Sequence, residues 1–297
     1  MRNKETSQLQ LKFPDFSADV RLRPEPFLKW AGGKGQLLSQ LEPLFPKTFG
    51  RYYEPFLGGG SVFFHLLPGK ATLNDFNPNL IAAYCHIQGQ LEVLLTRLYD
   101  LKESYYSLAD EAREQRFYDL RTQYNQLGAG TVEKTALLIF LNKTAYNGLY
   151  RESKKGGFNV PFGRYTKPGI FDEANLRAVS IALQPLELLT GNFRKAVTNA
   201  QKGDFIYFDP PYLPLNKTSS FTSYTSEAFG EAQQIELARL VRELANRGVL
   251  IMLSNSSVDF IRDLYHDFNQ YEVKANRMIN SKAEARGKIS ELVITSY

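Results

Sequence analysis

The stretch at 204–214, DFIYFDPPYLP, runs four apolar or aromatic residues (Phe205 to Phe208) into an aspartate, two prolines and a tyrosine. A short continuous apolar run bounded by turn residues reads as a strand buried on both faces, as in a parallel sheet. Pro210 and Pro211 end it, because neither has an N–H to give to a neighbouring strand. Asp209, the Pro210 carbonyl and the Tyr212 ring are thereby left at the carboxyl end of a strand, where open α/β sheets bind their ligands.

Working outward, LELLTG at 186–191 and GVLIMLSN at 248–255 are further short apolar runs, the latter reached through a helix from about 227 to 246 that stops before Gly248. Nearer the start, RYYEPFLGGG (51–60) reads as a strand ending in a glycine-rich turn. SVFFHLL (61–67) reads as a helix, KATLND (70–75) as a second strand and NPNLIAAYCHI (77–87) as a second helix. This alternation predicts an α/β fold around a parallel sheet of the Rossmann-like kind. Residues from about 88 to 141 carry helical spacing and no strand signal. A further helix follows in PGIFDEANLRAVSIAL, with Asp172 as its N-cap. YEVKANRMI, a basic loop and ELVITSY predict a closing antiparallel hairpin at the sheet edge. The expected organisation is a polar extension over 1–25, a catalytic domain over 26–83 and 173–297, and an insertion over 84–172 that carries a basic hairpin at 143–167.

A chain of 297 residues, 43% hydrophobic, is long enough to bury a sizeable core. It has no apolar run of membrane-spanning length, and its first 25 residues lack the apolar stretch of a signal peptide, so a cytoplasmic location without a membrane partner is expected. One cysteine excludes an intramolecular disulfide, and with three histidines it leaves little material for a metal site. No metal is expected. The net charge of +5 is unevenly placed. Lys143, Arg151, Lys154, Lys155, Arg164 and Lys167 stand against Glu152 alone within 143–167, so this window carries the whole excess. Tyr146, Tyr150, Phe158, Phe162 and Tyr165 are interleaved with these cations. Such a surface suits a polyanion with stackable bases, although aromatic residues anchoring a solvated loop would give the same composition.

The glycine turn of EPFLGGGSVF resembles the phosphate-cradling turns of dinucleotide folds, but GGGSVF is not GxGxxG, so a pyrophosphate is not implied. Asp75, 17 residues after Gly58, stands near where an acidic side chain takes up ribose hydroxyls. The alternatives are a turn needed only for helix packing and an aspartate capping the next helix. FLKWAGGKG, at 27–35, lacks both the first glycine and the final Ser or Thr of a P-loop. Lys34 and Trp30 there can bind the anionic and apolar parts of a small ligand, and Lys29 a phosphate or a guanine edge. Alkylation of an exocyclic amine needs no histidine, cysteine or metal. It needs acceptors for the two amino hydrogens and a fixed negative charge for the cation that forms. Asp209 and the Pro210 carbonyl provide these, the two prolines stiffen the turn, and Tyr212 can stack on the base. The plainer reading is a proline-stopped strand with an exposed Asp and Tyr.

Taken in order, FLKWAGGK, EPFLGGGSVFF, LNDFNPNL, YNGLYRESKKGGFNVPFGRY and FDPPY resemble the Dam-type DNA adenine-N6 methyltransferases, from about residue 26 to 297, in the alpha arrangement of motifs. The resemblance implies an S-adenosylmethionine-dependent methyltransferase sheet with a DNA-recognition insertion, acting on double-stranded DNA, as a monomer by default. Trp30, Lys34, Phe56, Asp75 and Asp209 would surround S-adenosylmethionine. Glu54, Gly58 and Gly60 would shape that pocket, and Phe193 would lie beside the cofactor adenine. Asp209, Pro210, Pro211 and Tyr212 would hold a flipped adenine, since its amino group cannot be reached inside a duplex. Tyr146 and Asn147 would enter near the target step, Leu149, Arg151 and Pro161 would read bases, and Lys29 would touch a further guanine, with GATC the expected site. The tetrad at 152–155 and the N-terminal extension depart from the family pattern. A DNA-binding module of the same fold that has lost transfer, and methylation of RNA, are the competing readings. Asp rather than Asn before Pro-Pro-Tyr disfavours a protein amide as substrate.

Overall fold

The computed structural model describes residues 23–153, 157–213, 229–276 and 288–297. The 204–214 stretch forms β4 (Phe205–Phe208), every residue of which is buried. Full burial of side chains this large is worth about 1.5–3 kcal/mol each. Their alternation sends Phe205 and Tyr207 into the core on one side of the sheet and Ile206 and Phe208 into the core on the other.

The remaining elements follow the predicted order, with three short helices, Leu38–Leu41, Phe193–Ala196 and Asp259–Leu264, that were not expected. A short helix, α1 (Leu38–Leu41), precedes β1 (Tyr52–Glu54), α2 (Ser61–Leu66), β2 (Ala71–Asp75) and α3 (Pro78–Gly89). Residues 91–144 form three helices, α4 (Leu91–Tyr106), α5 (Asp110–Gln126) and α6 (Val132–Thr144). Then come α7 (Glu173–Leu183), β3 (Glu187–Thr190), α8 (Phe193–Ala196), β4, α9 (Glu231–Asn246), β5 (Leu250–Ser256), α10 (Asp259–Leu264), β6 (Asn269–Asn276) and β7 (Lys288–Thr295). Asp172 caps α7 as expected, its side chain accepting from the Asn175 N–H at 3.0 Å. The helix expected from about 227 begins at Glu231, where the Gly230 N–H donates back to Gln233 Oε1 at 3.0 Å; residues 227 and 228 lie outside the described residues. The extension over 1–22, Lys154 and Lys155, and the basic loop before β7 also lie outside them.

The seven strands form one sheet in the order β3-β2-β1-β4-β5-β7-β6. From β3 to β5 all pairs are parallel, and β7 pairs antiparallel with both β5 and β6, so the closing hairpin lies at the sheet edge. Alpha helices α2 to α7 pack on one face and α8, α9 and α10 on the other. Buried α6 sits against α3, α4 and α5, and its core is continuous with that face of the sheet. From β1 the chain winds outward to β2 and β3, then returns to place β4 on the other side of β1. The gap between the carboxyl ends of β1 and β4 is a topological switch point, where open α/β sheets form a ligand crevice.

Candidate active site

Two loops meet at that crevice. The loop after β1 carries Phe56, Gly58 and Gly60. Both glycines adopt left-handed φ, +51° and +71°. A Cβ at Gly58 would stand 3.0 Å from Trp30 Cδ1, and one at Gly60 would stand 2.9 Å from the Tyr84 hydroxyl, so neither position has space for a side chain. Asn74, buried at the end of β2, fastens this loop by donating to the Pro55 carbonyl at 2.9 Å and to that of Gly191 at 3.0 Å. The Asp75 carboxylate accepts the Gly58 N–H and the Asn77 N–H, each at 2.9 Å. Asp75 does not cap α3. Asn77 does, accepting from Asn79 N–H and Leu80 N–H.

The loop after β4 carries Asp209 to Tyr212. Asp209 Oδ2 lies 2.7 Å from Lys34 Nζ, which also donates to the Gly32 carbonyl at 2.7 Å and stands 4.9 Å from the centre of the Tyr212 ring. Lys34 is buried and the Asp209 side chain is 18% exposed, so the pair is largely shielded from water. Burial pushes the Asp209 carboxyl above its ordinary value, and the Lys34 ammonium opposes that shift. The Tyr212 hydroxyl donates to Glu291 on β7 at 2.7 Å. Behind the pair sits Glu54, 2% exposed, which accepts from the Tyr52 hydroxyl at 2.7 Å. Burial pushes the Glu54 carboxyl up to about 8.

Aromatic rings line one side of the crevice: Phe56 stacks on Phe193 with centroids 5.3 Å apart, and Phe229 packs edge-on against both. Phe76, next to Asp75, is 53% exposed. Trp30 stacks on Tyr150 at 4.7 Å, joining this crevice to the hairpin region.

That region is held by two isolated antiparallel bridges, Ala145 with Phe162 and Glu152 with Phe158, in place of a continuous ladder. Tyr150 and Phe158 are buried anchors and Phe162 is half-buried, whereas Tyr146 is 54% exposed. Tyr150, Phe158 and Phe162 thus anchor the loop, while Tyr146 and Tyr165 are presented outward. Asn147 is exposed in the left-handed region, with φ +57°. Arg151 and Pro161 are exposed, and Leu149 is half-buried. Asn159 orients Arg151 by accepting its Nε–H at 2.8 Å. Lys29 is exposed with its side chain running past Gly148, its backbone N–H and carbonyl both bonded to the buried Asn142 side chain at 2.9 Å, and Asn142 also donates to the Gly148 carbonyl at 3.0 Å. The fold thus gathers Trp30, Lys34, Glu54, Phe56, Gly58, Gly60, Asp75, Phe193 and Asp209 to Tyr212 around one crevice. It leaves Tyr146, Asn147, Leu149, Arg151 and Pro161 in the adjoining loop. Asn74, Asn142, Asn159 and Glu291 were not singled out by sequence reasoning; their only signal is a polar residue inside or beside an apolar run. Among the described residues no group of His, Cys, Asp and Glu is placed to hold a metal ion, and no helix is long and apolar enough to cross a membrane.

A mostly parallel seven-stranded sheet with a strand-end carboxylate at its switch point has the architecture in which α/β enzymes bind their ligands. The chain belongs to the D12 class N6 adenine-specific DNA methyltransferases, whose family model matches residues 30–279. It is 46% identical over 286 residues to the type II methyltransferase M.MjaIII of Methanocaldococcus jannaschii, covering 92% of this chain and 99% of that protein. To the type II methyltransferase M1.LlaDCHI of Lactococcus lactis subsp. cremoris it is 40% identical, covering 93% and 97%. To the DNA adenine methylase of Escherichia coli (strain K12) it is 33% identical, covering 90% and 93%. The protein is an adenine-specific DNA methyltransferase with DNA as its substrate.

Proposed function

We propose that the enzyme transfers a methyl group from S-adenosylmethionine to N6 of adenine in double-stranded DNA, at GATC, with the adenine flipped out of the duplex. It acts as a monomer in the cytoplasm, with 26–83 and 173–297 as the catalytic domain and 84–172 as the insertion that reads the site. The observation that carries this reading is the Asp209–Lys34 pair at the β1/β4 switch point, with the Pro210 carbonyl beside it accepting no hydrogen bond from any described residue.

The donor set fits S-adenosylmethionine. The glycine turn has no space for a Cβ, the Phe56–Phe193 stack offers a wall for an adenine ring, and Asp75 retains lone pairs for ribose hydroxyls beyond the two N–H groups it accepts. Asp209 offers a negative charge, and Glu54, which burial keeps protonated near neutral pH, offers a neutral polar wall for the methionine end, with Lys34 and Trp30 at its side. When bound, the cofactor supplies an electrophilic methyl on a sulfonium. Asp209 and the Pro210 carbonyl accept the two amino hydrogens of the target adenine, which draws its lone pair out of conjugation. The Asp209 carboxylate, little exposed to water, then stabilises the positive charge that develops on nitrogen. Pro211 stiffens the turn and Tyr212 stacks on the base. Tyr146 and Asn147 enter the duplex near the target step, Leu149, Arg151 and Pro161 reach base edges, and Lys29 meets a guanine.

Labelled methyl transfer from S-adenosylmethionine to three matched duplexes tests this: one with GATC, one with its GATC adenines already N6-methylated, and one with the site scrambled. Incorporation into the first alone is expected. Equal incorporation into the scrambled duplex would remove GATC, and incorporation into the premethylated duplex would remove adenine N6 as the target atom.

A further inference from the structure

Gln234 and Asn255 are fully buried polar side chains outside the catalytic and binding residues assigned above, and Gln234 bonds directly to one of those, Pro211. Gln234 lies one turn into α9, and Asn255 lies near the end of β5. The Gln234 side-chain nitrogen donates to the Pro211 carbonyl at 3.0 Å, and its oxygen accepts from Asn255 Nδ2 at 3.0 Å. Asn255 Oδ1 accepts the Ser256 N–H at 2.8 Å, and the Ser256 hydroxyl donates to the Leu213 carbonyl at 3.1 Å. A carbonyl can only accept, so this chain of bonds fixes which way each amide faces.

The turn after β4 is therefore fastened selectively. The carbonyls of Pro211 and Leu213 are tied to α9 and β5, while that of Pro210 is left without a partner among the described residues. Two apolar side chains would close the same space with no buried amide to satisfy. What the amide pair adds is direction. We infer that Gln234, held by Asn255, is a positioning residue for methyl transfer, pinning the Pro211 carbonyl to α9 so that the Pro210 carbonyl is the acceptor presented to the target amine. This deepens the proposed transfer reaction and rests on it.

Two substitutions separate positioning from simple support of the fold. Gln234→Met fills a similar volume and makes neither bond. Gln234→Glu keeps the bond from Asn255 and, assayed at a pH high enough to ionise the buried carboxyl, cannot donate to Pro211, whereas at lower pH its O–H can. Each variant is compared with the native enzyme in three measurements: melting, affinity for S-adenosylmethionine read from the fluorescence of Trp30, the single tryptophan of the chain, and the single-turnover methyl transfer rate on a GATC duplex at saturating cofactor and DNA. Both variants are expected to lose on the order of 10²-fold in the single-turnover rate, as a misplaced acceptor does, with cofactor affinity within about threefold of native. A transfer rate within about threefold of native in both variants overturns the inference, as does a loss of cofactor affinity that matches the loss of rate. If Gln234→Met does not melt cooperatively, Gln234→Glu decides by the same criteria. A native enzyme that methylates no duplex overturns the transfer reading and this inference with it, whereas an active native enzyme beside undiminished variants overturns this inference alone.

Discussion

The crevice around Asp209 and the loop from Ala145 to Gly163 are built on opposite principles. In the crevice the polar groups are buried or half-buried and already paired: Asp209 with Lys34, Glu54 with Tyr52, Tyr212 with Glu291. In the loop the buried groups include the rings of Tyr150 and Phe158, while Asn147 and Arg151 face outward. A reaction that develops charge gains from dipoles and charges fixed before the substrate arrives. Reading a duplex requires side chains that stay in water until the groove displaces it. The difference predicts that substitutions in the crevice act on rate and on pH dependence, while those in the loop act on discrimination between sequences.

The largest effect should come from Asp209→Ala. It removes the acceptor and the fixed charge together, and transfer is expected to fall by on the order of 10³-fold or more. Labelled methyl transfer beside a melting curve checks it. Activity within tenfold of native would move the chemistry away from the end of β4. Asp209→Asn keeps an acceptor beside Lys34 and should lose somewhat less activity, which separates the charge from the hydrogen bond.

Glu54 gives the second prediction, on stability. Its carboxyl is raised from 4.5 to about 8, chiefly by burial. Between those values the folded protein holds a proton that the unfolded chain has released, so stability falls as pH rises from 4.5 towards 8. The contribution is present in full at the acid end of that window and lost at the alkaline end, on the order of a few kcal/mol. Glu54→Gln removes the titration and should flatten the slope of melting temperature against pH across this window. An unchanged slope would mean that Glu54 is ionised in the folded state, with Lys34 as its counter-charge.

These two regions were also unequally legible in the sequence. The strands were readable because their apolar runs are short and end on Gly, Pro or Asp, and the crevice followed because both Phe56 to Gly60 and Asp209 to Tyr212 sit at strand ends. The strand order could not be read. Nothing local says that β4 returns beside β1, and it is that return which brings Lys34 to Asp209 across 175 positions of chain. Polar residues that act by fastening backbone were missed for a related reason. Asn142 and Gln234 look like ordinary helical residues until the packing places the carbonyls of Lys29 and Gly148, or of Pro211, within reach. In the loop, composition gave the charge and the rings but not the division of labour among the rings, because only tertiary packing decides that Tyr150 is inside and Tyr146 outside.

Arg151 tests the outward half of the comparison. Its guanidinium is exposed and suits bidentate contact with a guanine, a contact worth about 1–3 kcal/mol of discrimination. Arg151→Ala should therefore lower the preference for GATC over a duplex with one guanine replaced by about 10- to 100-fold, with the melting temperature unchanged. A uniform fall on all duplexes would instead assign Arg151 to the phosphate backbone.

The smallest effect, and the one that sharpens the comparison most, is expected at Asn159. Its side chain accepts from Arg151 Nε at 2.8 Å, and its carbonyl lies 3.4 Å from Arg151 Nη2. The loop therefore contains one element of the crevice's design, a functional side chain held in place before its target arrives. A surface hydrogen bond of this kind is worth about 0.5–1.5 kcal/mol. Asn159→Ala leaves Arg151 charged and exposed but free to sample other rotamers, so affinity for the GATC duplex should fall only a few-fold, and chiefly through slower association with the correct register. If Asn159→Ala matches Arg151→Ala in lost discrimination, the arginine reads its base only when pre-oriented, and the loop works by the same fixed geometry as the crevice. If Asn159→Ala is silent, the groove itself orders the guanidinium, and the two regions differ as fully as their burial suggests.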